Sequence, residues 1–217
     1  MPVADAPRLC LMTPPLAAAE AFLPKIEAAL AAADVASLLL RLAAPGGPDA
    51  EAIARVIAGP AQARGVALVV EASPELALAA GADGVHVRYC APGGPQALKA
   101  AVKRLSPGRI VGAGALETRD DAMTAGELGA DYLLFGDGAS PDFDALTERV
   151  AWWAELFGTP CVALATSLER IEPLVAAGAD FVALDEGVWD DPRGPGAAAA
   201  AAAERIERTA EKRERIA

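Results

Sequence analysis

The stretch from Ala67 to Arg88, ALVVEASPELALAAGADGVHVR, decides the fold. An apolar run (Ala67 to Val70) leads into Ser73-Pro74, a helix start. A short Ala/Leu helix, a Gly-Ala-Asp turn and a second apolar run (Val85 to Val87) follow, so the stretch reads strand, helix, strand. Its closing phrase returns twice. AAGADGVHV at 79–87 reappears as ELGADYLLF at 127–135 and as AAGADFVAL at 176–184, so the Gly-Ala-Asp units begin at 81, 129 and 178, with spacings of 48 and 49. A repeat of that size is compatible with a solenoid. Between consecutive copies, however, lie one more helical stretch and one more apolar strand, so the period is two strand-helix units. Gly81, Gly129 and Gly178 stand where a helix ends in a left-handed cap. Each Asp that follows is placed to accept turn hydrogen bonds before the next strand.

Extending the same reading outward predicts strands near 8–13, 37–42, 67–72, 84–88, 109–114, 132–137, 161–166 and 181–186. Helical stretches separate them at about 17–32, 49–64, 74–80, 96–105, 118–128, 142–157, 168–177 and 197–215. Eight alternations is the number that closes a barrel. The strands are nearly all apolar, as in a parallel sheet buried on both faces. The expectation is a single (β/α)8 TIM barrel over residues 1–217, with an open doubly wound sheet as the alternative. Against the open sheet, strand one is followed by TPPLAAAE rather than by a glycine-rich dinucleotide loop.

Composition narrows the partners. At 217 residues and 53% hydrophobic content, one domain can bury a substantial core. Much of that content is alanine, and no stretch offers the roughly twenty strongly apolar residues of a spanning helix, so no membrane association is expected. Alanines 197–203 run into the charged stretch Glu204 to Arg215, which reads as a solvated terminal helix. A formal charge of −11 without an aromatic-studded basic patch argues against nucleic acid. The start, MPVADAPRL, lacks the basic and apolar regions of a signal peptide, which predicts a cytoplasmic protein. Cys10, Cys90 and Cys161 are odd in number and far apart, unlike a disulfide framework or a zinc site. Cys10 and Cys161 read as small core residues.

In a barrel, function gathers at the C-terminal ends of the strands. The rim candidates are then Thr13, Arg41, Glu71, Ser73, His86, Arg88, Tyr89, Asp137, Thr166, Ser167, Asp185 and Glu186. His86, the only histidine, faces opposite to Val85 and Val87, either into the barrel or towards the helices. A satisfied core histidine and a functional one are both open. Arg41 stands within the otherwise apolar run Leu38 to Leu42, and if buried it needs an anion, supplied by Glu71 or by a ligand. Thr166 or Ser167 opening a helix, with Glu169 as partner of Thr166, is a capping-box pattern whose amides could hold an anion, although Asp185 and Glu186 on the next loop would repel one.

Three segments carry a family resemblance: VVEASPELALAAGADGVHVR at 69–88, LGADYLLFG at 128–136 and VALATSLERIEPLVAAGADFVAL at 162–184. Together they resemble thiamine-phosphate synthase and its thiazole-tautomerase relatives, a family of eight-stranded barrels. The resemblance implies a transferase of thiamine biosynthesis. Position by position, the family's Gln-x-Arg-x-Lys for the pyrimidine diphosphate falls on Leu39, Arg41 and Ala43. Its Asn-Asp pair after strand three falls on Glu71 and Ala72, and its second metal-binding Asp on Ala91. His86 matches. The serine after strand five falls on Gly114, and the Thr-x-Thr…Lys loop is replaced by residues 137–142, DGASPD. The Gly-Gly phosphate turn falls near Ala165 and Thr166, and the tautomerase histidine region is Gly114 to Glu117.

Diphosphate displacement needs cations at the leaving group, and most of the family's are replaced here. The expectation is an inherited active site that is largely degenerate, with His86 and Glu71 as catalytic candidates. Arg41, Arg88, Thr166 and Ser167 are the substrate-binding candidates, with no tight magnesium site and no cofactor. A small phosphorylated ligand is the expected partner, and self-association is left open. Three functions follow: thiamine phosphate formation with rearranged residues, a non-catalytic or regulatory anion-binding barrel, or a different lyase or isomerase using Glu71 and His86 as acid and base.

Overall fold

The computed structural model describes residues 6–138 and 142–215. Eight parallel strands close into one barrel in sequence order. They are β1 (Arg8–Met12), β2 (Val35–Leu40), β3 (Ala67–Val70), β4 (Gly84–Arg88), β5 (Ile110–Gly114), β6 (Tyr132–Phe135), β7 (Cys161–Ala165) and β8 (Phe181–Leu184). Around them run α1 (Leu23–Ala32), α2 (Ala50–Gln62), α3 (Pro74–Ala80), α4 (Gly94–Leu105), α5 (Arg119–Glu127), α6 (Phe143–Leu156) and α7 (Ile171–Ala177). A short α8 (Glu186–Trp189), not foreseen, precedes the long α9 (Pro195–Glu214). The open sheet and the solenoid are both set aside.

Strand alternation sorts the apolar residues into two cores. Outward residues such as Leu11, Leu38, Leu68, Val85, Leu133 and Leu184 pack under the helices. Inward residues, among them Cys10, Met12, Leu39, Val69, Leu134 and Val162, form a smaller cluster inside the barrel. Both faces of each strand are therefore dry, which is why the strands read as continuous apolar runs. Cys10 and Cys161 are buried, as expected, and Cys90 is exposed.

The repeated Gly-Ala-Asp units do two jobs. Gly81, Gly129 and Gly178 have φ of 74°, 94° and 105°, the left-handed cap that a side chain would strain. The aspartates differ from expectation, because their carboxylates reach past the turn to the neighbouring strand. Asp83 N–H donates to the Leu68 carbonyl at 2.8 Å while its Oδ2 accepts from Leu68 N–H at 2.7 Å. Asp131 does the same with Val111 (2.7 Å both ways) and Asp180 with Cys161 (3.1 and 2.8 Å). Each unit thus clamps β4, β6 or β8 to the strand before it. An Asp one residue before a strand has the backbone bond already in register, so its short side chain reaches the amide of the same partner residue.

Several boundaries move, each for a local reason. The first helix starts at Leu23 rather than 17 because Pro24 fits only the opening turn. β2 runs from Val35 to Leu40 instead of 37–42. Leu42 leaves the ladder to bridge Leu16, in the loop after β1. β3, β6 and β8 also end two residues early, so Arg41, Glu71, Asp137 and Asp185 stand on the rim rather than in strands. The terminal helix is not solvated all round. Ala198, Ala199, Ala202 and Ile206 are buried, and α9 packs against α1 and α7. No helix among the described residues is long and apolar enough to cross a membrane.

The clamps predict a measurable dependence. Asp83 also accepts from Gln62 Nε2 at 2.9 Å, so Asp83→Ala leaves the Leu68 amide without its side-chain acceptor and Gln62 with the Gly81 carbonyl alone. A loss of about 2 kcal/mol is expected, read by urea unfolding, with Asp83→Asn recovering most of it because its amide oxygen still accepts.

Candidate active site at the barrel mouth

Register puts the key residues at one level. β2 and β3 pair Leu40 with Val70, and β3 and β4 pair Val70 with Val85. One step further, Arg41 and Glu71 just past the ends of β2 and β3 stand level with His86 in the middle of β4, all with inward parity.

Arg41 is held by the loop after β1. Its backbone N–H donates to Thr13 Oγ1 at 3.0 Å, and its Nε donates to the Thr13 carbonyl at 2.6 Å. Leu16 N–H bonds to the Arg41 carbonyl, and Ala43 N–H bonds to the Leu16 carbonyl. The guanidinium is thus fixed at its stem, and among the described residues neither terminal nitrogen meets a protein acceptor. Of the two anions foreseen for Arg41, Glu71 is not the one. The Glu71 carboxylate lies 4.0 Å from Arg88 instead, a loose and partly exposed pair worth little in itself.

His86 points into the barrel, which settles the choice of face. It is 1% exposed. Its Nδ1 lies 2.9 Å from the Tyr132 hydroxyl. Its Nε2 faces Asp137 Oδ2 at 3.6 Å, beyond hydrogen-bond reach, and is buried without a hydrogen-bond partner. A carboxylate on that side favours the tautomer with the proton on Nε2, which leaves the Tyr132 hydroxyl to donate to Nδ1. Tyr132 is partly buried, its ring packed on the inward cluster, and desolvation raises its pKa well above the usual tyrosine value, so it stays a neutral donor. The structure joins His86 to Tyr132 and Asp137; no hydrogen bond or ion pair joins it to Glu71.

Two glycines of β5 make room for this cluster. A Cβ at Gly112 would lie 2.0 Å from Tyr132 Cζ, inside the ring. One at Gly114 would meet Asp137 Oδ2 at 2.4 Å and His86 Nε2 at 2.5 Å. Asp137 Oδ1 in turn accepts from Ala115 N–H at 2.8 Å. Ala115 has φ of +53°, a left-handed conformation that costs a residue with a side chain. Asp137 therefore ties the loops after β5 and β6 together. Ala139, Ser140 and Pro141, expected to replace the family's cationic loop, lie outside the described residues.

Thr166 and Ser167 do not form the expected capping box. Thr166 is exposed, a 3-10 turn (Leu168–Arg170) follows Ser167, and the Ser167 side chain caps no backbone amide. Pro173 lacks the N–H that would bond back to Glu169, so the α-helix restarts at Ile171. The Glu169 carboxyl is held below its ordinary value by its own backbone amide first and by the Ser167 hydroxyl second. Next door, Asp185 Oδ1 is buried without a partner. Asp137 and Asp185 were legible as rim residues but not as parts of a site. Tyr132 was missed, although the pair Gly112 and Gly114 opposite a tyrosine was its signal.

The packing predicts that Gly114→Ala separates His86 from Asp137. The added methyl has no free space, so a stability loss of about 1 to 3 kcal/mol is expected, read by thermal unfolding. The single imidazole makes the displacement visible as moved His86 signals in the NMR spectrum, whereas unmoved signals would contradict the packing.

Comparison with known proteins places the chain. The family model described as "Thiamine monophosphate synthase" matches residues 9–188. Thiamine-phosphate synthase of Rhodospirillum centenum is 42% identical over 202 residues, covering 89% of this chain and 94% of that protein. The corresponding protein of Hyphomonas neptunium is 39% identical over 205 residues, covering 88% and 90%. Among solved structures, thiamine phosphate pyrophosphorylase from Pyrococcus furiosus superposes with a TM-score of 0.77 at 20% identity, covering 95% of this chain and 98% of that one. That last likeness concerns the fold. The family-model match over most of the chain and the two full-length relatives show that the chain belongs to the thiamine-phosphate synthase family.

Proposed function

We propose that the chain forms thiamine phosphate by joining a phosphorylated thiazole to a pyrimidine diphosphate, using a reduced and rearranged set of site residues. One observation carries the reading. Arg41, at the family's diphosphate-binding position, is anchored through Nε by Thr13, and among the described residues neither of its terminal nitrogens has a protein acceptor.

As the bond to the diphosphate breaks and the bond to the thiazole forms, negative charge collects on the leaving group. A guanidinium fixed at its stem forks onto phosphate oxygens without first reorganising. Arg88, only loosely paired with Glu71, is the second cation within the same rim. Asp185, with an unpartnered buried oxygen, is the acceptor that a ring N–H would satisfy. His86 acts as a positioning residue. Shielded from the mouth, it sets Tyr132 below and Asp137 beside it, and Asp137 holds the Ala115 loop.

A magnesium ion is implied by the family, and the residues here do not fit one. Ala72 and Ala91 occupy the ligand positions. Among the described residues, no three His, Cys, Asp or Glu side chains converge on a metal-sized point. A hard cation wants several fixed oxygen ligands, so no step is routed through an ion held by this rim. Those same two alanines favour a second reading, a barrel that binds phosphorylated ligands without turnover.

The test supplies both substrates and follows thiamine phosphate formation and diphosphate release. Arg41 has no carboxylate partner to orphan, but Arg41→Met takes the donor from the Thr13 carbonyl, so a stability loss of about 1 to 2 kcal/mol is expected. Loss of a two-pronged charged contact should lower product formation about 100-fold. Binding without product in the unaltered chain would favour the second reading, and failure to bind either substrate would contradict both.

A further inference from the structure

Barrel interiors of this class are filled by layers of bulky branched side chains, and here the lower half is not. Ser37, Ala67 and Ala183 stand where larger residues would meet, and a cavity of about 310 Å³ remains. Cys10, Val69, Tyr132 and Val162 complete its wall. Arg8, Asp131 and Pro160 mark its entrance, at the N-terminal ends of the strands, the face opposite the mouth. Met12, Leu39 and Leu134 close it above.

Space of this kind selects its occupant. A dry apolar cavity of about 150 Å³ takes up benzene or xenon, and this one is large enough for a fused pair of rings. Beyond the entrance no charged side chain among the described residues lines the bore to balance an ionic ligand, so a neutral molecule fits. Ser37 Oγ donates to Cys10 Sγ at 3.1 Å, and its oxygen keeps a lone pair for one incoming donor. The Tyr132 ring is part of the wall, and its hydroxyl meets His86 Nδ1 at 2.9 Å, so a molecule pressing on that ring presses on the floor of the mouth. A Cβ at Gly112 would overlap the Tyr132 ring, so the ring sits where β5 carries no side chain.

We propose that this bore is a second binding site, entered from the N-terminal face, for a small neutral flat-ring compound carrying one hydrogen-bond donor, and that Tyr132 couples its occupancy to His86. The coupling is local: one ring contacts the ligand on one side and the imidazole on the other.

Indole is the probe. Titrated into the full chain, it should bind once, raise the melting temperature with concentration, and move the signals of the single imidazole. Ala183→Leu and Ala67→Leu fill the bore from opposite sides, and either should weaken indole binding at least about tenfold by removing its space. Tyr132→Phe should keep binding and lose the shift in the imidazole signals. Should both filling variants fail to fold, xenon-pressurised crystals of the unaltered chain decide, with xenon expected between Val69, Val162 and Ala183. Absence of saturable indole binding, binding indifferent to bore filling, or no xenon in the bore would overturn the site. An imidazole unmoved at indole saturation would overturn the coupling.

Discussion

Three carboxylates at the bottom of the barrel hold its registration. Asp83, Asp131 and Asp180 each close a two-bond ring with one residue of the preceding strand. A slip of one residue along a strand exchanges its inward and outward faces. Were β4 to slip against β3, His86 would turn under the helices and Val85 or Val87 would enter the mouth. The level line of Arg41, Glu71 and His86 is therefore a consequence of bonds made at the opposite end of the strands. The repeat that first reveals the fold is the same device, applied at β4, β6 and β8.

At the mouth the deciding feature is missing side chains. β5 contributes Gly112 and Gly114, and into that space go the Tyr132 ring, the His86 imidazole and the Asp137 carboxylate. Asp137 then steadies Ala115 in a conformation it would otherwise avoid. Glycine at 114, which reads as the loss of a family serine, makes way for the Asp137 carboxylate from the loop after β6. Arg41 and Arg88 bring cationic charge to the rim, and Glu71, Asp137 and Asp185 bring acceptors from just beyond β3, β6 and β8.

The architecture was legible because turn chemistry and strand hydrophobicity speak locally: Gly81, Gly129 and Gly178 announce their caps, and eight apolar runs announce the barrel. Strand ends were less legible. Arg41 and Glu71 continue the apolar runs of β2 and β3, and only the bridge from Leu16 to Leu42 shows that the chain has left the ladder. The partner of Arg41 was unreadable, since whether Glu71 turns to Arg41 or to Arg88 depends on side-chain direction across three strands. The failed cap at Thr166 could have been foreseen from Pro173. Tyr132 and Asp137 lie in contact with His86 yet about fifty residues away in sequence, and no local pattern joins them.

If Arg41, rather than a rim-bound magnesium ion, fixes the diphosphate, calorimetric titration of inorganic diphosphate into the chain in the presence of EDTA will show it. One site is expected, retained without metal and lost in Arg41→Met. Binding that requires magnesium, or that survives Arg41→Met unchanged, would contradict the account.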